Sequence, residues 1–281
     1  MKKILLTTAF YLFSVAFLNA QKLHLNLFGG FSNYQGDLQK AKFTFSQAKL
    51  AFGAGATYEV SERFYIRLNV LSARVSGDDK TNKINATRNL SFSSPVTELH
   101  LGLEYDLMNV YEKGYALYIF AGIGGFKFNP SAIDSLGQKV YLQPLGTEGQ
   151  GFFQGRKKYA LSGMVIPFGG GLKLAVNEDI FVRLEAGFRK TFTDYLDDVS
   201  TTYVDGPTLL ANNGSKAVEL AFRGDELKPG LIYPNQGAIR GSPKRTDYYY
   251  IVGASVSFRL NRQSGNGNSG KNRTGCPVNV Y

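Results

Sequence analysis

The sequence has a single cysteine, Cys276, among 281 residues. A lone cysteine excludes a disulfide framework and any cysteine-based zinc site. Two histidines, His24 and His100, leave little room for a histidine metal cluster or proton relay. A mean hydropathy of −0.16 excludes a bundle of transmembrane helices, although not a membrane protein built from strands. What is abundant is aromatic and small: 21 Phe, 17 Tyr and 32 Gly. Hydrophobic residues at 43% exclude wholesale disorder. The formal charge of +10 would suit a nucleic acid or anionic surface, so the placement of those charges matters.

The chain opens with Met1-Lys2-Lys3, then an uncharged run from Ile4 to Leu18 and the small residue Ala20 before Gln21. This pattern predicts a secretory signal peptide over 1–20, the run being too short for a spanning helix. The mature chain then begins at Gln21, outside the cytoplasm, with a charge of +8.

Beyond Gln21 no helical period stands out, whereas two-residue alternation recurs. Leu23, Leu25 and Leu27 alternate with His24 and Asn26; Phe64, Ile66, Leu68 and Val70 with Tyr65, Arg67 and Asn69. Leu99, Leu101, Leu103, Tyr105 and Leu107 alternate with Glu98, His100, Glu104 and Asp106. Similar patterns occupy 50–60, 182–189 and 248–259, while 115–128 and 159–174 are apolar on both faces, with unclear phase. The reading is eight strands, most of them 12 to 16 residues long.

The connections alternate in length. Short ones fall at Ser61-Glu62, Met108–Gly114 and Val176–Asp179; long ones at Tyr34–Phe43, Ser76–Ser91, Asn129–Lys158 and Leu196–Thr246. An even strand number with short turns at one end and long loops at the other predicts an all-β, eight-stranded antiparallel outer-membrane barrel over 21–260. Short turns and termini are then periplasmic, and four long loops extracellular. A soluble lipocalin-type barrel is the alternative, but its outer face would be rich in Lys and Glu. Here the polar face carries Gly, Ala, Ser and Thr between isolated charges of both signs: Glu59, Arg67, Glu98, Glu104, Arg183, Glu185, Arg189 and Arg259. Such a set suits a narrow lumen filled by paired side chains. Tyr58, Phe64, Tyr105 and Phe258 near the short turns, and Phe188, Phe192, Tyr248 and Tyr250 near the loops, read as aromatic girdles. Strands longer than the roughly 9–11 residues that cross a bilayer predict a wall projecting beyond it on the loop side.

Several features invite chemistry. A filled lumen is no diffusion pore. His100 between Glu98 and Glu104 has the neighbours of a general base, but no serine nucleophile is tied to it by motif, and it reads as a satisfied lumen residue, as does His24. Asp194, Asp197 and Asp198 offer oxygen ligands for Ca²⁺, although their spacing is not that of an EF-hand; hydrogen bonds that order a loop are the simpler account. Ser76-Gly77-Asp78-Asp79, Asn212-Asn213-Gly214 and Pro229-Gly230 read as turns. Thr147-Glu148-Gly149-Gln150 carries no mechanistic assignment. Residues 261–281, with three basic residues and no acidic one, read as a flexible periplasmic tail, in which Cys276 forms an intermolecular disulfide, contacts a partner or is a bystander thiol. No catalytic, cofactor-binding or metal site is expected.

Several segments resemble the PorG-like family of outer-membrane barrels of Bacteroidota. They are Asn33-Tyr34-Gln35-Gly36-Asp37-Leu38, Arg88-Asn89-Leu90-Ser91-Phe92, 120–126 with Phe128-Asn129-Pro130, Thr147–Gln150, and Thr193-Asp194-Tyr195-Leu196-Asp197-Asp198-Val199-Ser200. The resemblance implies a non-enzymatic accessory barrel of type IX protein secretion or gliding machinery, anchoring periplasmic ring components. It supplies no catalytic residues. The other expectation is a surface adhesion or ligand-binding barrel acting through 129–158 and 196–246.

The charge now divides. The tail holds +3, the long loops +1, +1, +2 and 0, and the strands with their turns +1. No face is strongly basic, so no nucleic-acid partner is expected; the expected partners are outer-membrane lipid and envelope proteins.

Overall fold

A computed structural model describes residues 22–39, 44–81, 85–243 and 245–260. The expected signal peptide, the tail and Cys276 lie outside the described residues. Eight long strands form the wall: β1 (Leu23–Gln35), β2 (Lys49–Ser61), β3 (Phe64–Asp78), β4 (Ser91–Asp106), β5 (Tyr115–Phe128), β8 (Ser162–Ala175), β9 (Ile180–Thr191) and β10 (Tyr248–Arg259). Each pairs antiparallel with its neighbours in the order β3-β2-β1-β10-β9-β8-β5-β4, and the β3–β4 pairing closes the circle. Closure leaves the wall no open edge, which a spanning sheet requires because lipid satisfies no backbone polar group. No helix among the described residues is long and apolar enough to cross a membrane.

The alternation holds. Leu27, Leu103 and Ile123 on the outward face are 62%, 55% and 55% exposed, while His24, Arg67, Glu98 and Glu104 point inward and are buried. A soluble barrel would not leave such a belt bare to water, where burial of each large side chain is worth about 1.5–3 kcal/mol. This is the outer-membrane plan, and the outer membrane is the protein's location. The structure settles the phase of 115–128: Tyr115, Leu117, Ile119 and Ile123 face out, Tyr118, Phe120 and Phe126 face in. Inward glycines make room for these rings; a Cβ on Gly171 would lie 2.7 Å from Cζ of Tyr118.

Above the belt the polarity inverts. On the loop side the outward positions become Ser72, Arg74, Thr97 and Lys127, while the inward ones become Leu71, Val75, Val96 and Phe126. Strand pairing continues through this region, so Ser76-Gly77-Asp78, expected to be a turn, are strand residues opposite Ser93, Phe92 and Ser91. The wall extends past the belt, and its upper interior is an apolar core with Leu38, Leu90, Leu196 and Val199 from the loops packed into it. Tyr250, expected in a girdle, faces outward but is covered, with its ring 5.1 Å from that of Phe188.

The connections hold more structure than the periodicity shows. In the short 108–114 turn, α1 (Val110–Lys113) is capped by Asn109, whose side chain accepts the Tyr111 N–H at 2.9 Å and donates to Glu62 at 2.8 Å. The third long loop contains a hairpin, β6 (Ser131–Ile133) with β7 (Lys139–Tyr141), joined to β4 through Ser93 and Ser131. The fourth contains α2 (Gly206–Ala221), capped by Asp205 on the Thr208 N–H at 2.9 Å. No helical period announces this element in the sequence. It was hidden because Gly214, at φ 80° and ψ 176°, splits it into two short pieces. Pieces that short form only through tertiary packing, here of Leu209, Ala217 and Ala221. Asn212-Asn213-Gly214 is thus a turn inside a helical segment.

The belt makes a depth-dependent prediction. Leu103→Arg is expected to lower barrel stability by about 2–4 kcal/mol, and Ser72→Arg above the belt by less than about 1 kcal/mol. Reversible urea unfolding in lipid vesicles measures both.

Candidate functional site

The lumen is occupied by an ion-pair network built from inward positions of four strands, β3, β4, β8 and β9. Glu104 is at its centre and fully buried. Its Oε1 is 2.7 Å from Nζ of Lys173, and its Oε2 is 3.2 Å and 3.1 Å from Arg67 and Arg183. Lys173 also binds both oxygens of Asp106, at 2.9 Å and 2.8 Å. Arg67 reaches Glu185 at 2.7 Å, and the Tyr118 hydroxyl donates to the same carboxylate at 3.1 Å. Farther up, Glu98 receives the Tyr249 hydroxyl at 2.5 Å and faces Arg189 at 3.6 Å. Four cations (Arg67, Lys173, Arg183, Arg189) thus oppose four carboxylates (Glu98, Glu104, Asp106, Glu185). Neutrality of this kind is what makes buried charge tolerable. One cavity of about 30 Å³ remains among Arg67, His100, Arg183, Glu185 and Arg189, room for a water or two rather than for a solute.

The eight charged residues named from the sequence all face inward, but they divide. Glu59 and Arg259 stand apart at the short-turn end, 3.5 Å from each other and with His24 3.6 Å from Glu59. The Tyr111 hydroxyl of α1 donates to Glu59 at 2.6 Å and closes this end. His100 has Nδ1 2.6 Å from Glu98 and Nε2 3.1 Å from the Asn69 amide nitrogen. Among the described residues no hydroxyl is hydrogen-bonded to it, so the geometry of a base with its nucleophile is not assembled there. Lys173 was not anticipated, because the mixed pattern of 159–174 hid its inward phase.

A second polar network locks the long loops into a cap over the barrel mouth. Arg240 binds Glu148 at 2.9 Å and the backbone oxygens of Asp198 and Ala221 at 2.5 Å and 3.2 Å. Glu148 also accepts the N–H groups of Ser200 and Thr201, at 2.9 Å and 3.0 Å. Arg88 grips Asp79 through two bonds of 2.7 Å and donates to the Arg240 carbonyl. The Tyr34 hydroxyl bridges Asp197 at 2.6 Å and Asp247 at 3.0 Å. The segments 33–38, 88–92, 147–150 and 193–200, far apart in the chain, therefore meet in one structure. Thr147–Gln150 acquires a role: Thr147 donates to Asp198 at 2.5 Å, and Glu148 is the acceptor at the heart of the cap.

The acidic cluster orders the loops. Asp197 and Asp198 each take separate hydrogen bonds, Asp198 from Thr147 and from Tyr159 at 2.6 Å. Among the described residues no group of three or more potential ligands is arranged to hold a metal ion. Burial pushes the Asp198 carboxyl up to about 6, despite Arg240, and that of Asp194 up to about 7. Burial first, then neighbouring negative charge, raises Asp197 (through Asp37) and Asp247 (through Asp197) as well. Arg88 stands in a segment the sequence reading singles out, but without a role, and Arg240 stands in none; isolated arginines in long loops carry no local signal until their carboxylate partners are placed.

Two outcomes follow for the cap. Glu148→Gln leaves the Arg240 guanidinium short of its buried partner, at a cost of about 3–5 kcal/mol; limited proteolysis should cut the loops while the barrel stays folded. Asp194 and Asp198 hold protons to a higher pH folded than unfolded, so their contribution is complete below about pH 4. It is lost as pH rises through about 6 and then 7. Loop cleavage should therefore accelerate from pH 5 to pH 8, at a rate compared with that of the barrel.

Known structures with a similar course of chain are outer-membrane barrels. Neisserial surface protein A is 8% identical, covering 85% of this chain and 97% of its own, with a TM-score of 0.44. A major outer membrane protein from Thermus thermophilus is 10% identical, covering 85% and 99%, at 0.40. The attachment invasion locus protein Ail of Yersinia pestis, solved with the heparin analogue sucrose octasulfate, is 11% identical, covering 84% and 97%, at 0.38. No curated protein sequence matches the chain. Residues 2–206 match the family described as a domain of unknown function, DUF6089, and the chain belongs to that family.

Proposed function

We propose that the protein is a non-enzymatic, non-conducting anchor in the outer membrane, holding envelope machinery such as a type IX secretion or gliding assembly. The observation that carries this reading is the sealed interior: a neutral ion-pair plug below, an apolar core above it and a locked loop cap over both. A barrel filled this way offers its two end surfaces, rather than its lumen, for function. The secretion role follows the PorG-like segments, and the basic 261–281 tail is its expected contact with periplasmic ring components.

A second reading, surface binding through the cap, has its own support. Ile232 and Ile239 are 86% and 82% exposed in the fourth loop, apolar side chains that a partner at the cap could cover.

Cross-linking of the full chain in the intact envelope, with identification of the captured proteins, separates the two. Anchoring predicts secretion components that disappear on deletion of 261–281. Capture unaffected by that deletion but abolished by the double change Ile232→Ser and Ile239→Ser would replace anchoring with surface binding. Planar bilayers should show no stepwise conductance for the wild-type protein.

A further inference from the structure

On the outside of the wall, at the loop-side edge of the belt, lies a groove of about 650 Å³. Its floor is a ladder of aromatic rings in cross-strand register: Phe168 on β8, Phe188 on β9 and Tyr250 on β10. Phe168 and Phe188 stack at 5.6 Å, and Tyr250 meets Phe188 edge-on. Toward the short-turn end the floor runs into the lipid-facing surface through the exposed Val252 and Leu184, whereas Ile166 and Met164 continue it toward the loops, Ile166 in register with Lys190. Its upper wall is polar, formed by Ser242, Arg245 and Thr246.

Two cations and one carboxylate lie at the groove. Arg245 is exposed and lines the groove. Lys190 lies outward on β9, two residues above Phe188 and paired in register with Tyr248, another lining residue. Asp37 is the one carboxylate of the lining, its Oδ2 turned to the Ser242 N–H at 2.8 Å, so the cations outnumber it two to one. An aromatic floor continuous with hydrocarbon, beneath two cations at headgroup height, matches an anionic amphiphile. A protein partner would have to displace the bilayer to reach Phe168.

We propose that this groove binds a membrane lipid through its negatively charged phosphate headgroup, the phosphate against Arg245 and Lys190 and the acyl chains along Phe168 and Phe188. The site is independent of the anchoring role, since it lies on the wall and not at either end. It gives one side of the barrel a lipid preference that the remaining belt lacks.

Full-length protein reconstituted in phosphatidylcholine nanodiscs containing a minor share of phosphatidylglycerol, then released for native mass spectrometry, tests this. Wild type should retain one phosphatidylglycerol per barrel, with a preference over phosphatidylcholine of about ten- to thirtyfold for two basic groups. The double change Arg245→Gln and Lys190→Gln should abolish the preference, while Lys127→Gln, an outward cation on the loop side of β5, should leave it intact. Excess inorganic phosphate should not displace the lipid, because the aromatic floor contributes to binding. Equal retention of both lipids by wild type, an unchanged preference in the double variant, or an equal loss with Lys127→Gln would overturn the proposal, as would displacement by phosphate alone. Folding is checked by heat-dependent gel mobility. Should the double variant not fold, Arg245→Gln alone and raised salt must each lower the preference.

Discussion

A carboxylate that touches three cations holds the centre of the barrel. Closing eight strands creates a lumen too narrow to hydrate charged side chains freely and too polar to pack as an oil drop. Glu104, with Lys173, Arg67 and Arg183 around it, resolves both demands. Each charge is neutralised within the wall that supplies it, and four strands are tied across the lumen rather than only along their hydrogen-bonded edges. The cost of dehydrating such groups is large, so the arrangement contributes specificity of closure more than net stability. One register shift would turn every member of the set to the lipid.

The same logic repeats above the membrane with different materials. Once the wall leaves the hydrocarbon, its outer face is wet and its interior takes up apolar loop residues, as in a soluble domain. The loops above are pinned by Arg88 and Arg240, whose acceptors include backbone carbonyls as well as carboxylates. Membrane barrel and soluble-like cap therefore share one chain and one set of strands. The inversion from Arg67 and Asn69 to Leu71 and Val75 on the inward face of β3 marks the border between them.

The two halves were unequally legible in advance. Within the belt, strict alternation of Leu, Ile and Val against isolated charges is a direct imprint of lipid outside and a filled lumen inside. Strand number, turn placement and the inward position of Glu98, His100 and Glu104 were read from it. Above the belt the imprint fades, because strand residues there face water and a loop-filled core. Ser76-Gly77-Asp78 consequently looked like a turn, and α2, divided at Gly214, showed no period.

By itself the sequence determined the closed eight-stranded plan, its lipid-facing side and its stock of lumen charges, since two-residue alternation sets the strands and a polar face of small residues and isolated opposite charges fits a filled lumen and not a wet outer surface. Only the tertiary structure decided which charge meets which, that Glu148 and Arg240 lock the cap, and that Phe168, Phe188 and Tyr250 align beneath Arg245. Those contacts join residues tens to more than a hundred positions apart. They are set by barrel register and loop packing, and neither leaves a local periodic trace.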